Sequence, residues 1–149
     1  MTYLALPLLA FISGIAIAAQ AVLNAQLGQV LKNPIYATAV AFFSSLIFIS
    51  LAIVVLVRRL PEAEAVRSVP VYLWFSGGIL SAFGIACFYW LIPKMGAGPM
   101  VSIGLTGQLI FAVLASHFGW LQLPVVSITG DKALGVCALL IGVYLINRP

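Results

Sequence analysis

Acidic residues are almost missing from this sequence. Glu62, Glu64 and Asp131 are the three acids among 149 residues, and none lies within a long apolar run. A proton-coupled exchanger built on a membrane-embedded carboxylate is therefore without support. Histidine is represented once, by His117; without a cysteine or carboxylate beside it, it offers no metal site. Two cysteines, Cys87 and Cys137, sit in apolar surroundings, where a free thiol packs as a small hydrophobe. There is no phosphate-binding Gly-Lys loop and no nucleophile with a base at readable spacing, so no catalytic residue and no cofactor are expected. These 149 residues also leave no room for a nucleotide-hydrolysing domain outside the apolar runs. The net charge of +4 is spread thinly, without the basic stripe that nucleic-acid binding requires.

Long apolar segments make up the rest. Hydrophobic residues account for 64% and charged residues for 7% of the chain, and mean hydropathy is +1.21. A soluble domain carries roughly a quarter charged residues. A charge at the bilayer centre costs about 2.5 to 3.5 kcal/mol on insertion scales, and here every charge falls between or at the ends of the apolar runs. The expected fold is an all-α, multipass transmembrane helix bundle forming one five-helix domain. Its spans are expected at about 4–23, 35–57, 71–92, 97–118 and 132–146.

Span one begins near the first residue with no basic segment before it, as expected of a retained helix rather than a signal peptide. A more polar helical extension is expected to carry it to Gln29, where Asn33 and Pro34 force a break. Arg58 and Arg59 should stop span two. Trp74 and Trp90, sixteen residues apart, would stand roughly 24 Å apart on a helix and suit two interfacial aromatic belts. Pro93, Lys94, Met95 and Gly96 read as a tight turn, and Pro99 suits the first turn of span four. Asp131 is placed to cap span five, the shortest span.

Sorting the loops by parity places Arg58, Arg59, Arg67 and Lys132 on one side and Lys32, Lys94 and Arg148 on the other. Four against three is almost no positive-inside bias, so insertion in both orientations is expected. Two copies inserted oppositely would form an antiparallel homodimer of ten helices. Its pseudo-two-fold axis would lie in the membrane plane, as in transporters built from inverted repeats.

Polar side chains within the spans are the candidate solute ligands. Gln20 and Asn24 share a helix face, with Ser13 on the same stripe. Gln108 is the only amide deep in span four, with Gly104 one turn earlier to leave room for a helix or a ligand. Ser102, Thr106, Ser81 and Tyr89 complete the set, although hydroxyls can bond to their own helix backbone, and interhelical hydrogen bonding is the competing role for the amides. His117 is the one side chain suited to proton exchange near neutral pH. Small residues four apart, Gly14 with Ala18, Gly77 with Ser81, Gly78 with Ala82, and Ala138 with Gly142, suit close helix packing.

Several short runs, in order, suggest a family. GIAIAAQAVLNAQLG at 14–28 followed by Asn33-Pro34, WFSGG at 74–78, PKMG at 93–96, GQL at 107–109 and SHFG at 116–119 together resemble the YdcZ-like group of the drug/metabolite transporter superfamily. The resemblance implies short packed helices in inverted arrangement, small-multidrug-resistance-like, in a bacterial inner membrane. It carries over to Gln20, Asn24 and Gln26, to Gln108 and to His117. The family commonly has an Asp before His-Phe-Gly, where this chain has Ser116, which removes a possible Asp/His pair. The expected function is transport of a small organic solute by alternating access, with a second copy of the chain, the lipid bilayer and the solute as partners. A small dual-topology anion channel and a non-transporting assembly subunit are the alternatives.

Overall fold

The computed structural model describes residues 2–57 and 59–148; Arg58, expected to help stop span two, lies outside them. The chain is 85% helix, with no strand among the described residues. Its helices are α1 (Thr2–Val30), α2 (Pro34–Leu56), α3 (Ala63–Ser68), α4 (Val71–Met95), α5 (Ala97–Phe118) and α6 (Gly130–Ile146), with a 3-10 turn at Trp120–Gln122. Four of them, α1, α2, α4 and α5, are long and apolar enough to cross a membrane. The fifth expected span, α6, has 17 residues. Contacts divide the chain into two compact units, Met1–Lys94 and Met95–Pro149.

In the first unit, α1 and α2 form a hairpin whose turn is set by local chemistry. The Asn33 amide donates to the Gly28 carbonyl at 2.9 Å and the Lys32 amide to the Gln29 carbonyl at 3.0 Å. These are the paired bonds of a Schellman closure, with Lys32 at φ 54° in the left-handed position usually given to glycine. Asn33 then caps α2, its side chain accepting from the Ile35 amide at 2.8 Å, while Pro34 opens the helix where an N–H has no intrahelical partner. The hairpin is close because Ala21, Ala25 and Gly28 lie on one face of α1 and are all buried. A Cβ at Gly28 would stand 3.3 Å from Pro34 Cα and 3.5 Å from Ala37 Cβ. Small residues at such a seam let backbones approach where apolar burial does not drive association.

Two sequence expectations in this unit need correction. The segment Pro93–Met95 is not a turn: α4 continues through Pro93 to Met95. Pro93 gives the Tyr89 carbonyl no N–H and its ring crowds that carbonyl, but Lys94 and Met95 keep their own N–H groups and carry the helix two residues further; the break falls at Gly96, with φ 90°. The loop at 60–70 also holds the short helix α3, with Glu64 in its first turn and Arg67 in its last, each suited to the helix dipole.

In the second unit, α5 spans 97–118, the expected range. It ends at Gly119, whose left-handed φ of 64° lets its amide donate back to the Ala115 carbonyl. The return segment bonds to the end of α5, the Val126 amide donating to the Ser116 carbonyl at 2.9 Å. The cap of α6 differs from expectation. Thr129, not Asp131, accepts from the Lys132 amide, and Asp131 falls within the first turn. Helix formation begins at Gly130 because the threonine hydroxyl already serves the free amide, leaving Asp131 to act through its charge on the dipole.

Most large apolar side chains face outward; Phe48, Val54, Phe83 and Leu134 are each more than two-thirds exposed. Among the described residues the buried hydrophobic set is short and mostly small: Ala21, Ala25, Ala37 and Ala115 with Tyr89, Ile92 and Met100. That inversion suits helices solvated by lipid.

Candidate functional site

A cluster of three polar side chains on the membrane helices lies in the first unit. Gln20 and Asn24, one turn apart on α1, are joined by a bond from Asn24 Nδ2 to Gln20 Oε1 at 3.0 Å. Tyr89 of α4 donates its hydroxyl to the same oxygen, also at 3.0 Å. Two donors on one carbonyl oxygen orient the Gln20 amide, so its NH2 group points away from them. Tyr89 is the bulkiest fully buried side chain, 1% exposed, whereas Gln20 and Asn24 are half-buried. Uncommitted in this geometry are the Gln20 NH2 group, the Asn24 carbonyl and one Asn24 N–H.

These groups open onto a cleft of about 340 Å³, lined also by Phe42, Ser44 and Ser45 of α2. Its polar lining is amide and hydroxyl alone, beside an aromatic ring and apolar walls. Such a surface can hold a small solute with hydrogen-bonding groups and an apolar body; it offers nothing to neutralise an ion. Ser44 and Ser45 escaped the sequence reading because they sit in the middle of a continuously apolar helix. Ser44 also bonds back to the Ala41 carbonyl at 3.0 Å.

The other expected residues lie apart from this cluster or bond locally. Ser13 is exposed and donates to the Leu9 carbonyl at 2.8 Å. Ser81 is exposed on α4. In the second unit, Ser102 donates to the Pro99 carbonyl at 2.9 Å and Thr106 to the Ser102 carbonyl at 2.8 Å. Ser102 Oγ also accepts from Asn147 Nδ2 at 3.2 Å, an α5–α6 link absent from the sequence reading. Asn147, after the last apolar residue, reads from sequence as a helix end. Gln108 is exposed on α5 and has no hydrogen-bond partner among the described residues. His117 meets Phe118 edge to face at 4.9 Å between ring centroids. Its Nδ1 accepts from the Ile128 amide at 3.3 Å, so the histidine holds the return segment.

Of the small-residue pairs, Gly14, Gly77 and Ser81 are exposed while Ala18 and Gly142 are half-buried. A Cβ at Gly14, Gly77, Gly78 or Gly142 would meet nothing within 4 Å. Gly104 is half-buried, and Ala82 and Ala138 are exposed. The close seam within the chain uses Ala21, Ala25 and Gly28 instead. No group of three or more His, Cys, Asp or Glu side chains able to hold a metal occurs among the described residues.

Comparison with curated proteins found no match, and neither did comparison with solved structures. A family model described as "Putative inner membrane exporter, YdcZ" matches residues 5–145, nearly the whole chain. The long apolar helices, the outward-facing hydrophobic surface and this match agree: the chain is an integral, multipass membrane protein and belongs to the YdcZ family of the drug/metabolite transporter superfamily.

Proposed function

We propose that the chain is one half of a transporter that carries a small, uncharged organic solute across the inner membrane by alternating access, working as an antiparallel homodimer. The observation carrying this reading is the Gln20–Asn24–Tyr89 cluster. Three hydrogen-bonding side chains are held on membrane helices beside a cleft with no charged lining. Polar groups at membrane depth are costly unless they face protein or an aqueous path.

Two features support a second copy. Gln108 presents an amide without a partner among the described residues on the exposed face of an apolar helix, an arrangement that lipid would penalise and a solute path completed by the second copy would relieve. Gly77, Gly78 and Gly142 leave open space beside their backbones, suited to close approach by another helix. The small difference in basic residues between the two sides, four against three, supports opposite insertion of the two copies. In this arrangement α6 is the fifth span. Its 17 residues reach about 26 Å at 1.5 Å per residue, a little less than the roughly 30 Å apolar core.

Orientation is the direct test. A single cysteine at Glu64, in a Cys87→Ser, Cys137→Ser background, is labelled in sealed vesicles with a membrane-impermeant thiol reagent. About half the protein labelled from each side supports dual insertion; labelling from one side alone removes the antiparallel homodimer. Reconstituted protein should show saturable, competable solute uptake. Conductance well above about 10⁵ per second, faster than microsecond-to-millisecond conformational cycling permits, would assign a channel instead.

A further inference from the structure

A second cleft in the Met1–Lys94 unit is distinct in chemistry from the amide-lined one. It measures about 250 Å³ and is lined by the end of α1 and its turn (Gly28, Gln29, Lys32), the start of α2 (Pro34) and the last turns of α4 (Trp90, Pro93 and Lys94, with Tyr89 at its floor). Two lysines line it and no carboxylate does. Lys94 Nζ lies 3.4 Å from the centroid of the Trp90 ring, which holds the ammonium in place without neutralising it. Trp90 itself is half exposed, as an aromatic residue at the headgroup level is.

Lys32 is the more telling of the two. It occupies the left-handed turn position at φ 54°, where glycine would be the relaxed choice. A helix-terminal dipole accounts for a lysine in the last turn of α4. The C-terminal end of α1 favours a cation at Lys32 in the same way, but a helix end carries only about half a charge, so two full ammonium charges on one cleft are not neutralised by it. The positive N-terminal end of α2 reaches the cleft at Pro34 and is offset there by the negative C-terminal ends of α1 and α4, so the positive field of the cleft is that of the two ammonium groups.

We propose that this cleft binds the phosphodiester headgroup of an acidic phospholipid, with Lys32 and Lys94 pairing with the phosphate and Trp90 lying against the glycerol and upper acyl chain. Lipid is favoured over a soluble phosphate because the cleft opens at the ends of three membrane helices, beside exposed apolar and aromatic surface. A phospholipid presents a phosphate and an apolar body there together. Tyr89 stands between this cleft and the solute cleft, but neither lysine lines the latter, and the test does not depend on transport.

The experiment uses purified full-length protein titrated with dioleoylphosphatidylglycerol or dioleoylphosphatidylcholine, with bound lipid counted by native mass spectrometry. The expected result is retention of one phosphatidylglycerol per chain with about 30-fold preference over phosphatidylcholine, a factor of about five for each lysine. In Lys32→Gly/Lys94→Gln the preference should fall to about one, with phosphatidylcholine retention unchanged. Lys32→Gly alone should raise the unfolding temperature while reducing the preference, so a loss of lipid binding is not a loss of fold. Arg59→Gln/Arg67→Gln removes the same charge from the α2–α4 connection and should leave the preference intact. Equal retention of the two lipids by the natural sequence, or a preference that survives in Lys32→Gly/Lys94→Gln, would overturn the proposal. Displacement by sn-glycerol 3-phosphate at the same concentration as the lipid would also overturn it, by assigning the cleft to a soluble anion.

Discussion

The Tyr89 hydroxyl donates to Gln20 Oε1 at 3.0 Å across 69 residues of sequence, tying α4 to α1 through a side chain that is itself 1% exposed. The same oxygen receives Asn24 Nδ2. Gln20 is therefore the hub of the cluster, and its loss removes both bonds.

Tyr89→Phe keeps the ring and deletes one donor. It should lower stability by about 1 kcal/mol, the usual value of one internal hydrogen bond. Gln20→Ala should cost about twice as much, because two donors lose their acceptor. Reversible unfolding in mixed micelles measures both. Equal effects of the two variants would mean that the shared oxygen is not the hub.

Gln108→Ala should leave folding of the single chain unchanged within about 0.5 kcal/mol, as for an exposed side chain without internal partners. Transport should fall about tenfold, corresponding to about 1.4 kcal/mol for a lost polar contact, with the dimer retained on cross-linking. Loss of the dimer along with activity would place the amide in helix packing instead.

At the hairpin seam, Gly28→Leu should destabilise by about 1 to 3 kcal/mol, since the added atoms would meet the backbone of Pro34 and the side chain of Ala37. Gly28→Ala should cost less, the Cβ needing only a small shift. Reversible unfolding in mixed micelles measures both, and unchanged stability of the leucine variant would show that the seam yields elsewhere.

The His117 ring holds the return segment at one point only. In His117→Ala, the Ile128 amide should lose its acceptor and exchange faster with solvent, while the Val126 amide, bonded to the Ser116 carbonyl, should stay protected. Hydrogen exchange read residue by residue separates the two. Simultaneous loss of protection at both would mean that the histidine supports the whole segment.

The membrane class and most helix limits were legible in the chain alone. Charge is expelled from every apolar run, and the breaks carry their own local signals. Asn33-Pro34 opens α2, and Gly96 and Gly119 bracket α5 at 97–118. Where two local signals compete, sequence was less decisive. Thr129 and Asp131 are both good caps, and the hydroxyl nearer the turn took the role. Pro93 reads as a breaker, yet the residues after it keep their N–H groups, and α4 continues to Met95 before Gly96 ends it.

What the sequence by itself determined is therefore a set of long apolar helices, their ends, and the presence among them of a few polar side chains that needed partners. Which partners they took was decided only by the tertiary structure. In water, the apolar stripe of a helix reveals its packed face; in lipid, both faces are apolar, and hydropathy no longer distinguishes them. Spacing thus pointed to Gly14, Gly77 and Gly78 as packing residues and not to Gly28, yet of these four it is Gly28 that meets a neighbouring helix within the chain. For the same reason the bond between Gln20 and Tyr89 could not be read from spacing. It depends on how α4 lies against α1, a matter of side-chain fit with no counterpart in the local pattern of either helix.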